Sequence, residues 1–238
     1  MTQFAVSDRG QKRERNEDAY LLLPDLNLYV VADGMGGHVG GQRASELAIK
    51  SIEQLIREHV SDIESGQIAQ LLGDSLRAAS KRIHEETRLH PELKGMGTTT
   101  TALMLHKQEA TIAHVGDSRA YLIRAGEIQQ LSEDHSLVQE QLRAGLISGE
   151  QAKHSRYRNI ITRCIGFEDD VDVDMMVVGV EPRDLFLLCT DGLTTLVEDF
   201  EILETILQNT PEMAGQKLVD LANSRGGSDN ITVVLVYV

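Results

Sequence analysis

Leu26-Asn27-Leu28-Tyr29-Val30-Val31-Ala32-Asp33-Gly34-Met35-Gly36-Gly37 sets an apolar run against a glycine-rich turn. Apolar residues alternate up to Ala32, which predicts a β-strand, and the glycines that follow are poor strand formers, so the strand is expected to end at Asp33. A carboxylate at a strand end beside an open turn is accessible. Beyond the glycines, Ala44, Leu47, Ala48, Ile52, Leu55 and Ile56 keep the three-four spacing of an amphipathic helix. Ile68, Leu71, Leu72, Leu76, Ala79 and Ile83 repeat that spacing in a second helix.

The texture changes at Thr98. Short β-rich runs, Thr98 to His106, Ala110 to Val115, Ala120 to Arg124 and Ile128 to Leu131, are broken by turn formers and read as one antiparallel meander. A helix is expected from Ser136 to Ala144, ending at Gly145, and the polar, weakly periodic stretch from 145 to 166 reads as a surface excursion or flap. Strands return at Val171 to Val178 and Leu185 to Thr190. Two helices follow, the second opening at Thr210-Pro211 with a cap-then-proline signature, and a strand from Ile231 to Val238 closes the chain. Strands in separated blocks with helices between them predict an α+β fold, with antiparallel sheets at the centre and helices outside. The expectation is a single catalytic domain over residues 1–238.

Composition narrows the function classes. The 238 residues are 41% hydrophobic, enough to bury a sizeable core. No apolar run approaches the ~20 residues of a membrane span, and charged residues stand near the start where a signal peptide is apolar, so a soluble cytoplasmic protein is expected. Cys164 and Cys189 have no CxxC partner, which suggests neither a zinc knuckle nor a disulfide framework. The formal charge of −14 opposes binding to nucleic acid or to an anionic membrane.

The chemistry concentrates in Asp33-Gly34, Gly116-Asp117-Ser118, Asp191-Gly192 and Asp229-Asn230. A lone Asp-Gly is ordinary turn chemistry. Repeated beside strongly apolar strands, these carboxylates would gather at one edge and repel one another unless cations intervene. Hard divalent ions such as Mg2+ or Mn2+ suit an all-oxygen donor set, and the histidines show no HExxH pattern that would argue for zinc. Arg13-Glu14-Arg15-Asn16-Glu17-Asp18 adds guanidinium groups near paired carboxylates, the residue type for forked recognition of phosphate.

Taken in order, these segments resemble the metal-dependent protein phosphatases, the protein phosphatase 2C family, in its stand-alone bacterial form. The resemblance rests on Arg13-x-x-Asn16-Glu17-Asp18, Val31-Ala32-Asp33-Gly34-Met35-Gly36-Gly37-His38, Gly97-Thr98-Thr99, Gly116-Asp117-Ser118-Arg119 and Asp134-His135-Ser136-Leu137, followed by Thr190-Asp191-Gly192-Leu193 and Ser228-Asp229-Asn230-Ile231-Thr232. It implies a four-layer αββα sandwich, a central antiparallel β-sandwich flanked by α-helices on both sides. It also implies hydrolysis of phosphoserine and phosphothreonine by a water bridging two Mn2+ or Mg2+ ions. Asp33 would bridge the ions, with Asp18 and the Gly34 carbonyl on one and Asp191 and Asp229 on the other. Asp117 would serve a third, weaker site that shares Asp191. Arg13 would bind the phosphate, and His38 lies near the cleft, within reach of the substrate or leaving group. His135 falls in a family block with a supporting role, and Cys189 reads as a buried small hydrophobe. The implied partners are phosphorylated proteins and a cognate serine/threonine kinase, and the enzyme is expected to act as a monomer. Two rivals stand beside this reading: an inactive phosphoprotein-binding regulatory domain, which would have lost ligands, and a phosphohydrolase of small molecules. Around the flap, His154-Ser155-Arg156-Tyr157-Arg158-Asn159 and Phe167-Glu168-Asp169-Asp170 depart from the expected family pattern.

Overall fold

The computed structural model describes residues 1–37, 40–60, 67–153 and 155–238. Its strands are β1 (Thr2–Asp8), β2 (Asp18–Leu23), β3 (Leu28–Met35), β4 (Gly97–Thr98), β5 (Thr100–His106), β6 (Glu109–Val115), β7 (Arg119–Arg124), β8 (Glu127–Gln130), β9 (Asp174–Gly179), β10 (Leu185–Cys189) and β11 (Ile231–Tyr237). Its helices are α1 (Gly40–His59), α2 (Ile68–Leu89), α3 (Leu137–Arg143), α4 (Gly149–Lys153), α5 (Asp191–Thr194), α6 (Asp199–Leu207) and α7 (Pro211–Ser224).

The period-two alternation of the strands decides the layers. On β3, Tyr29 and Val31 point into the space between two sheets, while Val30 and Ala32 point the other way, onto α1 and α2. On β10, Phe186 and Leu188 fill the inter-sheet space, and Leu185, Leu187 and Cys189 face α6 and α7. The sheets run β1-β11-β10-β7-β8 and β2-β3-β5-β6-β9, the short β4 also pairing with β3. All these pairings are antiparallel. This is the expected four-layer αββα arrangement. Among the described residues no helix is long and apolar enough to cross a membrane.

Several expectations need correction. Strand β3 does not stop at Asp33: Gly34 pairs with Thr98 and Met35 with Gly97, because β4 supplies backbone partners that no side-chain pattern announces. The meander is divided. Strands β5 and β6 form one hairpin, and the chain then crosses at Gly116–Ser118 to the other sheet, where β7 and β8 form the next. Gly116 has φ +115, a conformation that glycine adopts without a steric penalty. Strand β9 starts at Asp174, later than Val171. Two strands, β1 and β2, lie in stretches where the sequence suggested none. The excursion from 145 to 166 holds α4 and returns through isolated bridges, Ser136 with Ile161 and Thr98 with Ile165.

Candidate metal centre

The β2–β3 register places Asp18 directly opposite Asp33, so both carboxylates leave the same face of one strand pair. From the other sheet, the Thr190 and Thr232 hydroxyls donate to Asp18 Oδ2 at 2.9 and 2.6 Å. Thr190 stands immediately after β10 and Thr232 lies on β11, and the next residue after Thr190 is Asp191, in the first turn of α5. Asp18 therefore ties the ends of both sheets together.

Thr99 performs a similar task on the far side. Its hydroxyl accepts the Asp33 N–H at 3.0 Å and lies 2.7 Å from Ser118 Oγ, which joins Asp33 to the turn carrying Asp117. Asp229 sits just before β11. Its Oδ1 accepts the Asn230 N–H at 2.8 Å and its Oδ2 takes Arg13 Nη2 at 2.7 Å. Asn230 stitches the Arg13–Asp18 loop in place: its Oδ1 accepts Glu17 N–H at 2.8 Å, and its Nδ2 donates to the Arg9 and Arg15 carbonyls at 2.9 and 2.8 Å.

The structure thus brings Arg13, Asp18, Asp33, Asp191 and Asp229 to one end of the sandwich, with Asp117 joined through Thr99. Gly34 is there too, but packing already dictates its lack of a side chain. A Cβ at 34 would lie 2.1 Å from the Gly41 carbonyl oxygen and 2.6 Å from that of Glu17. His38 lies outside the described residues.

Like charges in a buried place are costly, and the carboxyls show it. Burial, reinforced by Asp18, Asp191, Asp117 and Asp229, holds Asp33 well above the usual carboxylate range. Burial, with Asp191 as the next charge, does the same to Asp117. Asp18 is raised to about 7, chiefly by burial and against the Thr232 and Thr190 hydrogen bonds. Asp191 is raised to about 6 by burial and by Asp229, a hydrogen bond from Asp33 opposing the shift.

Whether this donor set fits a divalent ion is tested by its unsatisfied atoms. Asp18 Oδ1, Asp117 Oδ1 and Asp191 Oδ1 are buried without a hydrogen-bond partner. A buried acceptor left unpaired costs about 1–3 kcal/mol, more when charged, and three on clustered carboxylates are oxygens a hard cation would satisfy. As the side chains stand, no three described acidic, histidine or cysteine groups are arranged to enclose an ion. Arg13 on Asp229 and the Asp33–Asp191 hydrogen bond meet part of the charge instead. The residues fit the group by donor type and by orphaned oxygens.

A cavity of about 630 Å³ opens beside the cluster, lined by Asp117 and Asp191 on one side and by Ala152, Arg158 and Asn159 of the flap on another. On its wall Arg119 forks onto Asp134, Nε–Oδ1 2.9 Å and Nη2–Oδ2 2.7 Å. Sequence alone gives no role to Arg119, Thr99, Thr190, Thr232 or Asn230. Their one visible signal was their place inside the quoted motifs. Cys189 is fully buried in the core facing α6 and α7, and burial pushes its thiol up to about 12, which suits a packing residue and not a nucleophile.

A family model for protein phosphatase 2C matches residues 8–221. The serine/threonine phosphatase stp of Listeria welshimeri is 40% identical over 235 residues, covering 97% of this chain and 93% of that protein. The crystal structure of the Mycobacterium tuberculosis serine/threonine phosphatase PstP/Ppp superposes with a TM-score of 0.91 at 35% identity, over 98% of this chain and 97% of that one. A structure of the PstP catalytic domain in complex with two manganese ions matches at TM-score 0.88 and 35% identity, over 98% of this chain and 96% of that one. Fold, motif order and relatives agree, and the chain belongs to the protein phosphatase 2C family.

Proposed function

We propose that this metal-dependent serine/threonine phosphatase works at the carboxylate cluster, with Asp33 between two Mn2+ or Mg2+ ions. Asp18 and the Gly34 carbonyl would complete one site and Asp191 and Asp229 the other, while Asp117 with Asp191 would hold a third, weaker ion. The observation that carries the assignment is the set of partnerless buried oxygens on Asp18, Asp117 and Asp191. Bound divalent cations supply the charge neutralisation that lets a water act as nucleophile toward phosphorus. The chain's own groups do the rest. Arg13, whose Nη2 meets a carboxylate oxygen at 2.7 Å in this structure, would offer its guanidinium fork to phosphoryl oxygens and offset the charge that builds as the ester bond breaks. Asn230 and the threonine pair keep Asp18 and the Arg13 loop in place while this happens. His38, beside the glycine pair, is assigned to the substrate or leaving group.

The domain would comprise residues 1–238, with the flap at about 145–166 forming one wall of the cleft. The substrates would be cytoplasmic phosphoproteins in a signalling circuit with a cognate kinase, and the enzyme would act as a monomer without membrane or nucleic-acid contacts. All five proposed carboxylate ligands are present, which favours this reading over an inactive regulatory domain. Phosphopeptides assayed against nucleotides and sugar phosphates separate it from a small-molecule phosphohydrolase. The direct test is Asp33→Asn with the fold monitored by circular dichroism. Turnover of a phosphothreonine peptide should fall by about a hundredfold or more, in the range for removing a principal electrostatic catalyst. A folded variant within threefold of the parent (roughly, on the same scale) would place the chemistry elsewhere.

A further inference from the structure

His135 lies on the loop between β8 and α3 with its side chain 7% exposed. It grips a single residue, Gly116, from two sides. The His135 N–H donates to the Gly116 carbonyl at 2.7 Å, and the Gly116 N–H donates to His135 Nδ1 at 3.0 Å. That residue starts the turn presenting Asp117. A Cβ at Gly116 would stand 2.5 Å from Thr99 Cβ, so the turn is closely packed against β5's approach and has little room to adjust.

With Nδ1 accepting, the ring proton belongs on Nε2, which faces Asp174 Oδ2 at 3.2 Å, while Arg163 Nη1, a second donor to that carboxylate, lies 3.1 Å from the same ring nitrogen. Asp174 opens β9 and pairs through Oδ1 with Arg163 Nη1 at 2.6 Å, and Arg163 also donates to the Asp172 carbonyl at 3.3 Å. One residue earlier, the Thr162 N–H donates to the His135 carbonyl at 2.9 Å. The bridge between Ser136 and Ile161 fastens the same segment. The end of the flap and the Asp117 turn are therefore held by one side chain and its backbone; Asp117 lines the cavity at the carboxylate cluster, as do Arg158 and Asn159, just ahead of the held flap segment.

We infer that His135 is a positioning residue that couples the flap to Asp117, setting the carboxylate in register with the cleft wall. The inference rests on the proposed role of Asp117 in turnover. Nothing in it requires His135 to touch substrate. Its action is second-hand, through Gly116 on one side and through Asp174, Arg163 and Thr162 on the other.

The test uses the full chain with two ring replacements. His135→Gln reaches toward Asp174 but leaves the Gly116 N–H without its acceptor, whereas His135→Asn keeps an acceptor near the Nδ1 position and gives up Asp174. In chelated protein, amide hydrogen exchange at Gly116 should be faster by about tenfold or more in His135→Gln and less affected in His135→Asn. With Mn2+, His135→Gln should lower kcat on both an aryl phosphate and a phosphothreonine peptide by about tenfold, with KM little changed, and His135→Asn should recover part of the loss. Added to Asp117→Ala, His135→Gln should cost no further turnover. If the ring variants fail to fold, Asp174→Ala cuts the same link from a half-exposed side chain and should show the same non-additivity. Unchanged Gly116 exchange, or equal losses in the Gln and Asn variants, would overturn the inference. An impaired Asp117→Ala whose loss adds fully to that of His135→Gln overturns this inference alone. A wild-type kcat for Asp117→Ala by itself overturns the reading of Asp117, and the inference with it.

Discussion

Replacing Gly34 with alanine separates two reasons for a glycine beside the cluster. If glycine were required only so that its carbonyl approaches an ion, the metal-free protein would tolerate a methyl group. The packing says otherwise. A Cβ at 34 would sit 2.1 Å from the Gly41 oxygen, 2.4 Å from the Gly41 carbonyl carbon and 2.6 Å from the Glu17 oxygen, where real Cβ contacts essentially never fall below 3.0 Å. To reach that limit the start of α1 must move by nearly an ångström and the Glu17 carbonyl by a smaller step as well. Each is tied down, Glu17 by the Asn230 side chain at 2.8 Å and by Ser45 Oγ at 2.6 Å to its carbonyl. Overpacking typically costs about 1–3 kcal/mol, and a clash with backbone on two sides belongs at the top of that range, about 3 kcal/mol. For a chain of this size that is a fall in Tm of about 6–12 °C. Thermal unfolding followed by circular dichroism in excess chelator is the assay, with Gly179→Ala as control because a Cβ there meets nothing within 4 Å. A chelated Gly34→Ala protein that melts with the parent would refute the packing argument and return the glycine requirement to the ion.

Other perturbations test neighbouring parts of the site. Arg13→Ala should raise KM and lower kcat on phosphopeptides, with Arg13→Lys a partial rescue because an ammonium lacks the fork; unchanged steady-state constants would move the phosphate site, with Arg15 next in line. Thr232→Val removes a 2.6 Å hydrogen bond to Asp18 and should weaken Mn2+ binding by calorimetry about tenfold or more, the worth of one bond to a charged group; parental affinity would show that the bond does not organise Asp18. His114 has its pKa lowered to about 4, chiefly by burial, so the unfolded chain takes up a proton between about pH 6.5 and 4 that the folded chain refuses. Its contribution is present above about pH 6.5 and is lost as pH falls toward 4, amounting to about 2 kcal/mol between pH 7 and 5. Urea unfolding of His114→Gln at both pH values should show a dependence flatter by that amount, and an unchanged slope would remove His114 as its source.

The positions of Asp33, Asp117 and Asp191 were legible because each follows a run of apolar residues buried on both faces, which leaves a strong local signal. Strand β1 was not, because it is an edge strand paired only with β11 and its residues are mostly half-buried. Strand β2 escaped for a related reason: it borders its sheet, and Tyr20 projects 41% exposed. The continuation of β3 through Gly34 depends on partners more than sixty positions away in the chain, at Gly97 and Thr98, which no window of sequence contains. The same holds for the hydroxyls on Asp18. Thr190 and Thr232 meet it only once two sheets have docked, so their motifs were visible and their purpose was not.

That docking has a consequence for how the molecule responds to change far from its cleft. Asp18 and Asp33 ride on one sheet, while Asp191 at the start of α5 and Asp229 on its loop adjoin β10 and β11 of the other, and the two groups are held at their spacing by the side chains between the sheets, Tyr29, Leu103, Phe186 and Val234 among them. The sandwich interior is thus a spacer whose thickness sets the gap between the two groups of carboxylates. A substitution there that swells or thins the layer, without unfolding anything, would act on the ligand geometry like a turn of a calliper screw, and catalytic rate would register the gap more finely than a melting curve.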